Sequence, residues 1–201
     1  MRRSMIILTT IVSIMLCIGM IAFGVYANIN QSYSISNTIG FNPSADVYVE
    51  LVCKVSGCKQ TDIIVPPSGY SSIEEYFEEK GFIKRVPFDE SMRGSTQILP
   101  DWNISESLEF INYQTPILYS ITVYNYSDRE ITVSFEEYDT TNPNFENTVP
   151  QPVKIASYDE RGEGAEVASK TVVLQTKVKN AGGGFTGERN DFKVALVAAE
   201  D

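Results

Sequence analysis

The chain contains no histidine at any of its 201 positions. Serine and cysteine hydrolases with a histidine base, HExxH zinc peptidases and histidine-ligated metal or haem centres all require this side chain, so these classes are excluded. The glycine cluster at residues 181–184 lacks the following helix and lysine of a phosphate-binding loop, and we interpret it as a turn. We therefore predict a protein that is not an enzyme and that uses no cofactor and no metal ion. A hydrolase built from carboxylates distant in sequence stays open as the least favoured alternative.

Positive charge is scarce. Lysine and arginine total 16 against 26 aspartate and glutamate residues, which gives a formal net charge of −10 and a pI near 4.6. Nucleic acids are bound through clustered basic side chains, so a nucleic-acid partner is excluded. Hydrophobic residues make up 43% and charged residues 21% of the chain, which excludes wholesale disorder and predicts a globular domain.

A long apolar run lies at the N-terminus. Met1-Arg2-Arg3 is basic, residues 6–27 carry no charge, and the run ends in Val25-Tyr26-Ala27, whose small final residue suits signal peptidase. We predict a signal peptide over residues 1–27, cleaved between Ala27 and Asn28, with signal peptidase as a partner during export. The alternative is an uncleaved membrane anchor, because this run as a helix would reach roughly 30 Å, the thickness of the bilayer core. The protein is expected to contact the membrane only through this leader.

Cysteine is also rare, with three in the whole chain. Cleavage after Ala27 leaves Cys53 and Cys58, and an even number of cysteines in an exported protein suggests a disulfide bond. The Ser56-Gly57 pair between them is typical of a turn, so we predict a hairpin that brings the two thiols together. Such a small closed loop is expected to stabilise the fold by only about 2 kcal/mol.

Apolar side chains recur at every second position through much of the remaining sequence. This alternation is typical of half-buried β-strands. The clearest runs are residues 33–41, 47–55, 117–123, 131–135, 172–178 and 192–198, and shorter ones lie at 63–65, 82–86, 108–112 and 153–156. About nine or ten strands, separated by clusters of Pro, Gly, Asn and Asp, predict an all-β fold. We expect an antiparallel β-sandwich of the jelly-roll or Ig-like kind, formed by residues 28–201 as a single domain.

One segment has helical periodicity instead. The sequence from Ser72 to Glu75 has the spacing of a capping box, the apolar residues at 73, 76 and 77 fall on one helical face, and Gly81 supplies a stop. We predict a short helix over residues 73–80, laid over the sandwich within an insertion at about residues 66–100. Its glutamates are expected to form a solvated face.

Aromatic residues are predicted mostly in the core. Trp102, the single tryptophan, is expected to pack between the sheets, and a sugar-stacking role is the less favoured alternative. Leu118, Tyr124 and Tyr126 fall on the face of their strand opposite Ile121, so a partly apolar outer surface is expected there. Surfaces of that kind suit contact with another chain.

The strand directly behind the predicted cleavage site is a candidate donor strand. Tyr33, Ile35, Ile39 and Phe41 place apolar side chains along it, and cleavage frees this strand at the N-terminus. Such a strand completes its own sandwich or adds to the open edge of a neighbour's sheet, as in donor-strand complementation. We take its own sandwich as the default and exchange between copies as the assembly hypothesis.

The order of leader, strand and later strand pairs resembles the exported β-sandwich proteins of Gram-positive bacteria grouped with TasA and camelysin. The resemblance is carried by the leader ending in Val25-Tyr26-Ala27, the alternating strand behind it, the strand and turn at 119–127, and the late pair at 171–179 and 191–197. It implies a surface or biofilm-matrix protein, processed by a dedicated signal peptidase and in some members assembled into fibres. The peptidase activity once attached to the camelysin name finds no support in a chain without histidine. The helix at 73–80 and the cysteine pair depart from the group's pattern.

The predicted function combines export with the absence of a recognisable catalytic motif. We expect a non-enzymatic structural protein that is secreted or exposed at the cell surface, and membrane-anchored if the leader is retained. Its expected partners are further copies of itself or other surface proteins. The alternative function is an adhesion or glycan-binding module that uses the loops at one end of the sandwich.

Overall fold

Two β-sheets and one helix make up the part of the chain that the structure describes. The computed structural model describes residues 34–104, 106–140, 144–158, 167–179 and 189–200. The predicted leader of residues 1–27, its cleavage site between Ala27 and Asn28, and Tyr33 of the candidate donor strand lie outside these ranges. No helix within the ranges combines the length and the apolar character needed to cross a membrane.

The strands divide between two sheets. The first sheet contains β1 (Ser34–Pro43), β4 (Trp102–Asn103), β5 (Leu108–Glu109), β7 (Ile131–Thr140), β9 (Val153–Ile155) and β11 (Arg189–Glu200). The second contains β2 (Val49–Ser56), β3 (Ile83–Val86), β6 (Ile117–Asn125), β8 (Phe145–Thr148) and β10 (Ser169–Val178). Their orders are β4-β1-β11-β7-β9, with β5 also pairing β1, and β3-β2-β6-β10-β8. The helix α1 (Ile73–Glu79) and two 3₁₀ turns (Lys59–Thr61 and Glu90–Met92) lie in the connections.

Alternation along the strands gives each sheet a buried face. In β6 the residues at 117, 119, 121, 123 and 125 are buried and those between them are partly exposed. Buried side chains from both sheets form one core, in which Trp102 meets Tyr119 edge to face with ring centroids 6.2 Å apart. The indole N–H of Trp102 donates to the carbonyl of Gly81 at 2.8 Å, so this buried side chain leaves no polar group unpaired. The all-β sandwich and the core position of Trp102 are confirmed, and the jelly-roll and Ig-like alternatives stay predictions.

The first and last strands depart from the predicted antiparallel arrangement. β1 pairs with β11 in parallel, whereas β11 pairs with β7 in antiparallel register. A parallel pair needs a long crossover between its strands, and here the rest of the domain supplies it. The described residues hold eleven strands, compared with the nine or ten predicted, because the short strands β4 and β8 carry too little alternation to be recognised.

Helix α1 forms where the sequence predicts it. The hydroxyl of Ser72 accepts from the backbone N–H of Glu75 at 3.0 Å, and the Glu75 carboxylate accepts from the N–H of Ser71 at 2.8 Å, one residue earlier than in a standard capping box. Gly81 ends the helix with φ of +77°, a conformation that favours glycine. The predicted insertion at 66–100 is part of the fold, because its strand β3 pairs with β2.

The predicted hairpin and disulfide between Cys53 and Cys58 are wrong. Both residues are buried free thiols. The chain does not form a hairpin with β2 after Ser56, because Gly57 turns it with φ of +79° and Cys58 forms a bridge with Phe110. The two cysteines are therefore not cross-strand neighbours.

The apolar run at 63–65 is also not a strand. It forms a bend in the loop between the first 3₁₀ turn and α1, because no strand of the described part pairs with it. The runs at 82–86 and 153–156 do contain strands, namely β3 and β9, and the run at 108–112 contains the short β5.

Substitution of Gly57 tests the close approach that redirects the chain. Gly57 has φ of +79°, and a Cβ there would lie 2.2 Å from the carbonyl oxygen of Pro116, whereas Gly94 has φ of +82° and open space around it. We expect Gly57→Ala to lower the free energy of unfolding by about 3 kcal/mol and Gly94→Ala by about 1 kcal/mol. Urea denaturation of both variants measures this, and equal losses would contradict the role given to the Pro116 contact.

Candidate interaction surfaces

Strand β1 is held on both sides within its own sheet. On one side all ten of its residues pair with β11. On the other side two of its residues pair with β4 and two with β5. Ile35 and Ile39 are fully buried and Phe41 is 4% exposed. Three residues of the candidate donor strand therefore lie in the core of their own chain.

A short turn joins β1 to β2. The N–H of Val47 donates to the carbonyl of Ser44 at 3.2 Å, and the N–H of Ser44 donates to the carbonyl of Ala198 on β11 at 2.8 Å. Asp46 has φ of +65°, a left-handed conformation that costs a non-glycine residue about 1 kcal/mol. This turn is the covalent link between β1 and all later strands.

A groove lies between α1 and the outer face of the second sheet. Its volume is about 500 Å³, within the range of known ligand and docking sites. Apolar side chains of the helix and of β3 form one wall. The ammonium of Lys54 and the hydroxyl of Ser56 come from β2, and the hydroxyl of Ser120 comes from β6. We call this the α1 groove, and its lining residues are Lys54, Val55, Ser56, Ile73, Glu74, Phe77, Ile83 and Ser120.

Arg85 fixes the helix over the groove. Its Nε atom lies 2.9 Å from a carboxylate oxygen of Glu78, and its Nη2 atom contacts the carboxylate of Glu74. The hydrogen bond with Glu78, and next to it that with Glu74, raises the pKa of Arg85. The predicted solvated face of glutamates is thus confirmed as exposed, and two of its members are paired with a cation of β3.

A second surface is the tip of the loop before α1. Ile64 is 92% and Val65 is 68% exposed, and we call these two residues the apolar tip. The loop's stem is fixed, because Lys59 lies 2.9 Å from the Glu109 carboxylate and the side-chain amide of Gln60 donates to the carbonyl of Ser107 at 2.8 Å. The tip is therefore an apolar projection on a held stem, although the sequence predicted a short strand at 63–65.

The outer tyrosines form part of a ring stack. Tyr126 lies stacked on Phe88 with centroids 4.8 Å apart, and Tyr158 packs against it at 5.6 Å. The guanidinium carbon of Arg93 lies 5.5 Å from the centroid of Phe88. Burial, followed by the Glu50 carboxylate, raises the pKa of Tyr126. Because these rings cover one another, they fasten the loop around residue 90 to the sheet and do not present a flat platform to a sugar.

The two thiols are shielded from chemistry. Burial raises the pKa of Cys53 from an ordinary 9.0 to about 12, and the nearby Lys84 ammonium opposes this shift only in part. Burial also raises the pKa of Cys58. Among the residues that the structure describes, no group of three or more cysteines and carboxylates converges as a metal site would. These side chains are components of the core.

Buried amides at the end of the second sheet were not recognised from the sequence. The Asn125 side-chain amide donates to the carbonyls of Arg129 and Ala156 at 2.7 and 2.8 Å, and its oxygen accepts from the N–H of Ser127 at 2.9 Å. Gln97 both donates to and accepts from the backbone of Val49 at 2.9 Å, in place of a strand partner. Gln97 pairs with a distant segment, and Asn125 combines local bonds within the turn at 125–129 with a bond to Ala156, which no local pattern indicates.

Comparisons with known proteins give little to set beside this geometry. No family model and no curated protein matches the chain. A solved structure, that of the major pilin from Streptococcus pyogenes in its N168A mutant form, overlaps 83% of this chain at 10% identity with a TM-score of 0.28. The chain spans about half of that pilin chain, 48%. A TM-score of this size assigns neither a shared fold nor a shared function, and the resemblance to the TasA and camelysin group stays a prediction.

The raised pKa of Cys53 predicts loss of stability in alkali. The unfolded chain releases the thiol proton near pH 9, whereas the folded chain holds it until about pH 12, so the contribution of this group is complete below pH 9 and is lost between these values. We expect the free energy of unfolding to fall over this interval, and to fall less steeply in Cys53→Ala, which is less stable throughout. Urea titrations at several pH values test this; identical pH profiles for the two proteins would contradict it.

Proposed function

We propose that the chain is a non-enzymatic structural subunit, exported to the cell surface or its surroundings, that self-associates by exchange of strand β1 between copies. The observation that carries the proposal is the position of β1. It is the first strand of the described residues, it fills the core with its apolar side chains, and it pairs along its full length with the last strand.

The contacts of β1 supply the free energy that exchange requires. Full burial of Ile35, Ile39 and Phe41 is worth about 2 kcal/mol each, or about 6 kcal/mol together, before the backbone hydrogen bonds to β11 are counted. An identical strand from a second copy makes the same contacts. The closed monomer and the exchanged assembly therefore differ mainly in the turn after β1 and in the entropy of association.

The covalent connections of β1 also favour exchange. No other element lies between β1 and the turn at residues 44–46, so the strand can leave its site as a unit. Its departure breaks the two-residue pairings with β4 and with β5 in addition to the pairing with β11. Departure opens the edge of β11 along ten residues, and an open edge of that length is a template for an incoming strand. The left-handed Asp46 is relieved when the turn straightens.

Deletion of residues 28–40 tests the proposal. We expect the exported wild-type protein to form concentration-dependent multimers. We expect the deleted protein to be a folded, soluble monomer when a synthetic peptide of residues 28–43 restores the core contacts of β1. Intact mass, size-exclusion chromatography with light scattering, and circular dichroism report processing, assembly and folding. A wild-type protein that stays monomeric at every concentration, or a deleted protein that collapses even when the peptide is present, would contradict strand exchange.

A matched pair of peptides shows whether the core face of β1 drives binding. We expect Ile39→Asp in the peptide to weaken binding to the deleted protein by at least about 100-fold, because it places a charge in the core. Asn42→Asp adds the same charge at an exposed position and should change affinity less than about threefold. Isothermal calorimetry measures both, and equal effects would show that the peptide does not enter the β1 site.

A further inference from the structure

The apolar tip and the α1 groove complement each other. We propose that the tip of one copy docks in the groove of a second copy, with Asp62 beside the tip paired to Lys54 of the groove. This inference rests on the proposed function as a self-associating subunit, and it adds a contact between copies that is independent of strand β1.

The apolar parts of the two surfaces match in size and character. Ile64 and Val65 are exposed aliphatic side chains with no partner of their own among the described residues. The groove has a volume of about 500 Å³, which accommodates two aliphatic side chains. Its apolar wall is formed by Ile73 and Phe77, which are partly exposed, and by Ile83, which is 7% exposed. Docking removes both surfaces from water, which is the favourable term in association.

One charge on each surface is available for pairing, because Glu74, the acidic residue that lines the groove, is already paired with Arg85. Lys54 is exposed on the groove floor and Asp62 is exposed beside the tip. Within the described ranges, neither side chain takes part in an ion pair or a side-chain hydrogen bond. Ile64 lies two positions after Asp62, a reach of about 7 Å, and the lysine side chain spans a comparable distance. A tip seated in the groove therefore brings this carboxylate to this ammonium.

The fixed stem of the loop lowers the cost of docking. The Lys59–Glu109 ion pair and the bonds of Gln60 hold its base, and Pro66 and Pro67 follow the tip directly. A preordered loop loses little conformational entropy on binding. The groove is likewise preordered, since Arg85 ties α1 to β3.

The charge around the tip favours a protein partner over a membrane. Loops that enter bilayers are flanked by lysine and arginine, which attract anionic lipids. The tip instead follows Asp62 and precedes a helix with four exposed glutamates, in a chain of net charge −10.

Because the tip and the groove are different surfaces, the contact is heterologous. It can extend from copy to copy into a chain, or close as a pair in which each tip enters the other groove.

Charge reversal with rescue tests the contact directly. We expect Lys54→Glu and Asp62→Lys each to weaken self-association of the exported protein at least tenfold, measured by sedimentation velocity over a concentration series. An equimolar mixture of the two single variants, or the double variant, should restore association to within threefold of wild type. Lys170→Glu and Asp128→Lys, exposed charges outside both surfaces, should change it less than twofold and control for net charge.

The apolar part is tested with matched serine variants. We expect Ile64→Ser to weaken association at least fivefold, and Ile98→Ser, 85% exposed on a different loop, to leave it unchanged. Association that the charge reversals do not affect, or that the mixture does not restore, would overturn this contact while leaving strand exchange standing. A wild-type protein that is monomeric at all concentrations would overturn both. Binding to anionic phosphatidylglycerol vesicles that Ile64→Ser abolishes would assign the tip to a membrane and overturn the contact.

Discussion

The packing of alternate side chains from two sheets against each other is the constraint on which the rest of the structure depends. Every second residue of β2, of β6 and of β10 from Val172 onward is buried, and these side chains meet those of β1, β7 and β9 in one core. This packing positions the outer faces of the strands as firmly as the inner ones. The α1 groove exists because Lys54 and Ser120 lie on the face opposite Cys53 and Ile121.

Two buried amide side chains, those of Asn125 and Gln97, pair with backbone groups near the ends of strands. These two side chains form hydrogen bonds with backbone groups that have no strand partner. Asn125 bonds to Ala156 and Gln97 bonds to Val49, so each connects segments far apart in sequence. Pairing of this kind lets strands end inside the protein, because a buried amide or carbonyl without a partner is costly. The loops that carry the ring stack and the apolar tip are thus supported from within.

Local patterns in the sequence predicted the elements whose formation depends on local forces. Alternation predicted β6 and β10. The cap at Ser72 and the stop at Gly81 predicted α1, and the predicted end of the helix lies one residue beyond the observed end at Glu79. The incorrect predictions concern segments whose structure depends on residues distant in sequence. The free thiols of Cys53 and Cys58 follow from the contact of Gly57 with Pro116, and the bend at Ile64 follows from the lack of a partner strand. The parallel pairing of β1 with β11 and the α1 groove both bring together residues from distant segments. No spacing in the sequence predicts such contacts.

Strand exchange requires that β1 is a core strand of its own chain and that a single turn joins it to the later strands. Amide hydrogen exchange on the isolated monomer tests this most directly. The account predicts that the amides of β1 that pair with β11 are as strongly protected as those of β6, and that they exchange together as one unit. Rapid exchange throughout residues 34–43, with β6 fully protected, would show that β1 does not occupy the site described and would contradict it.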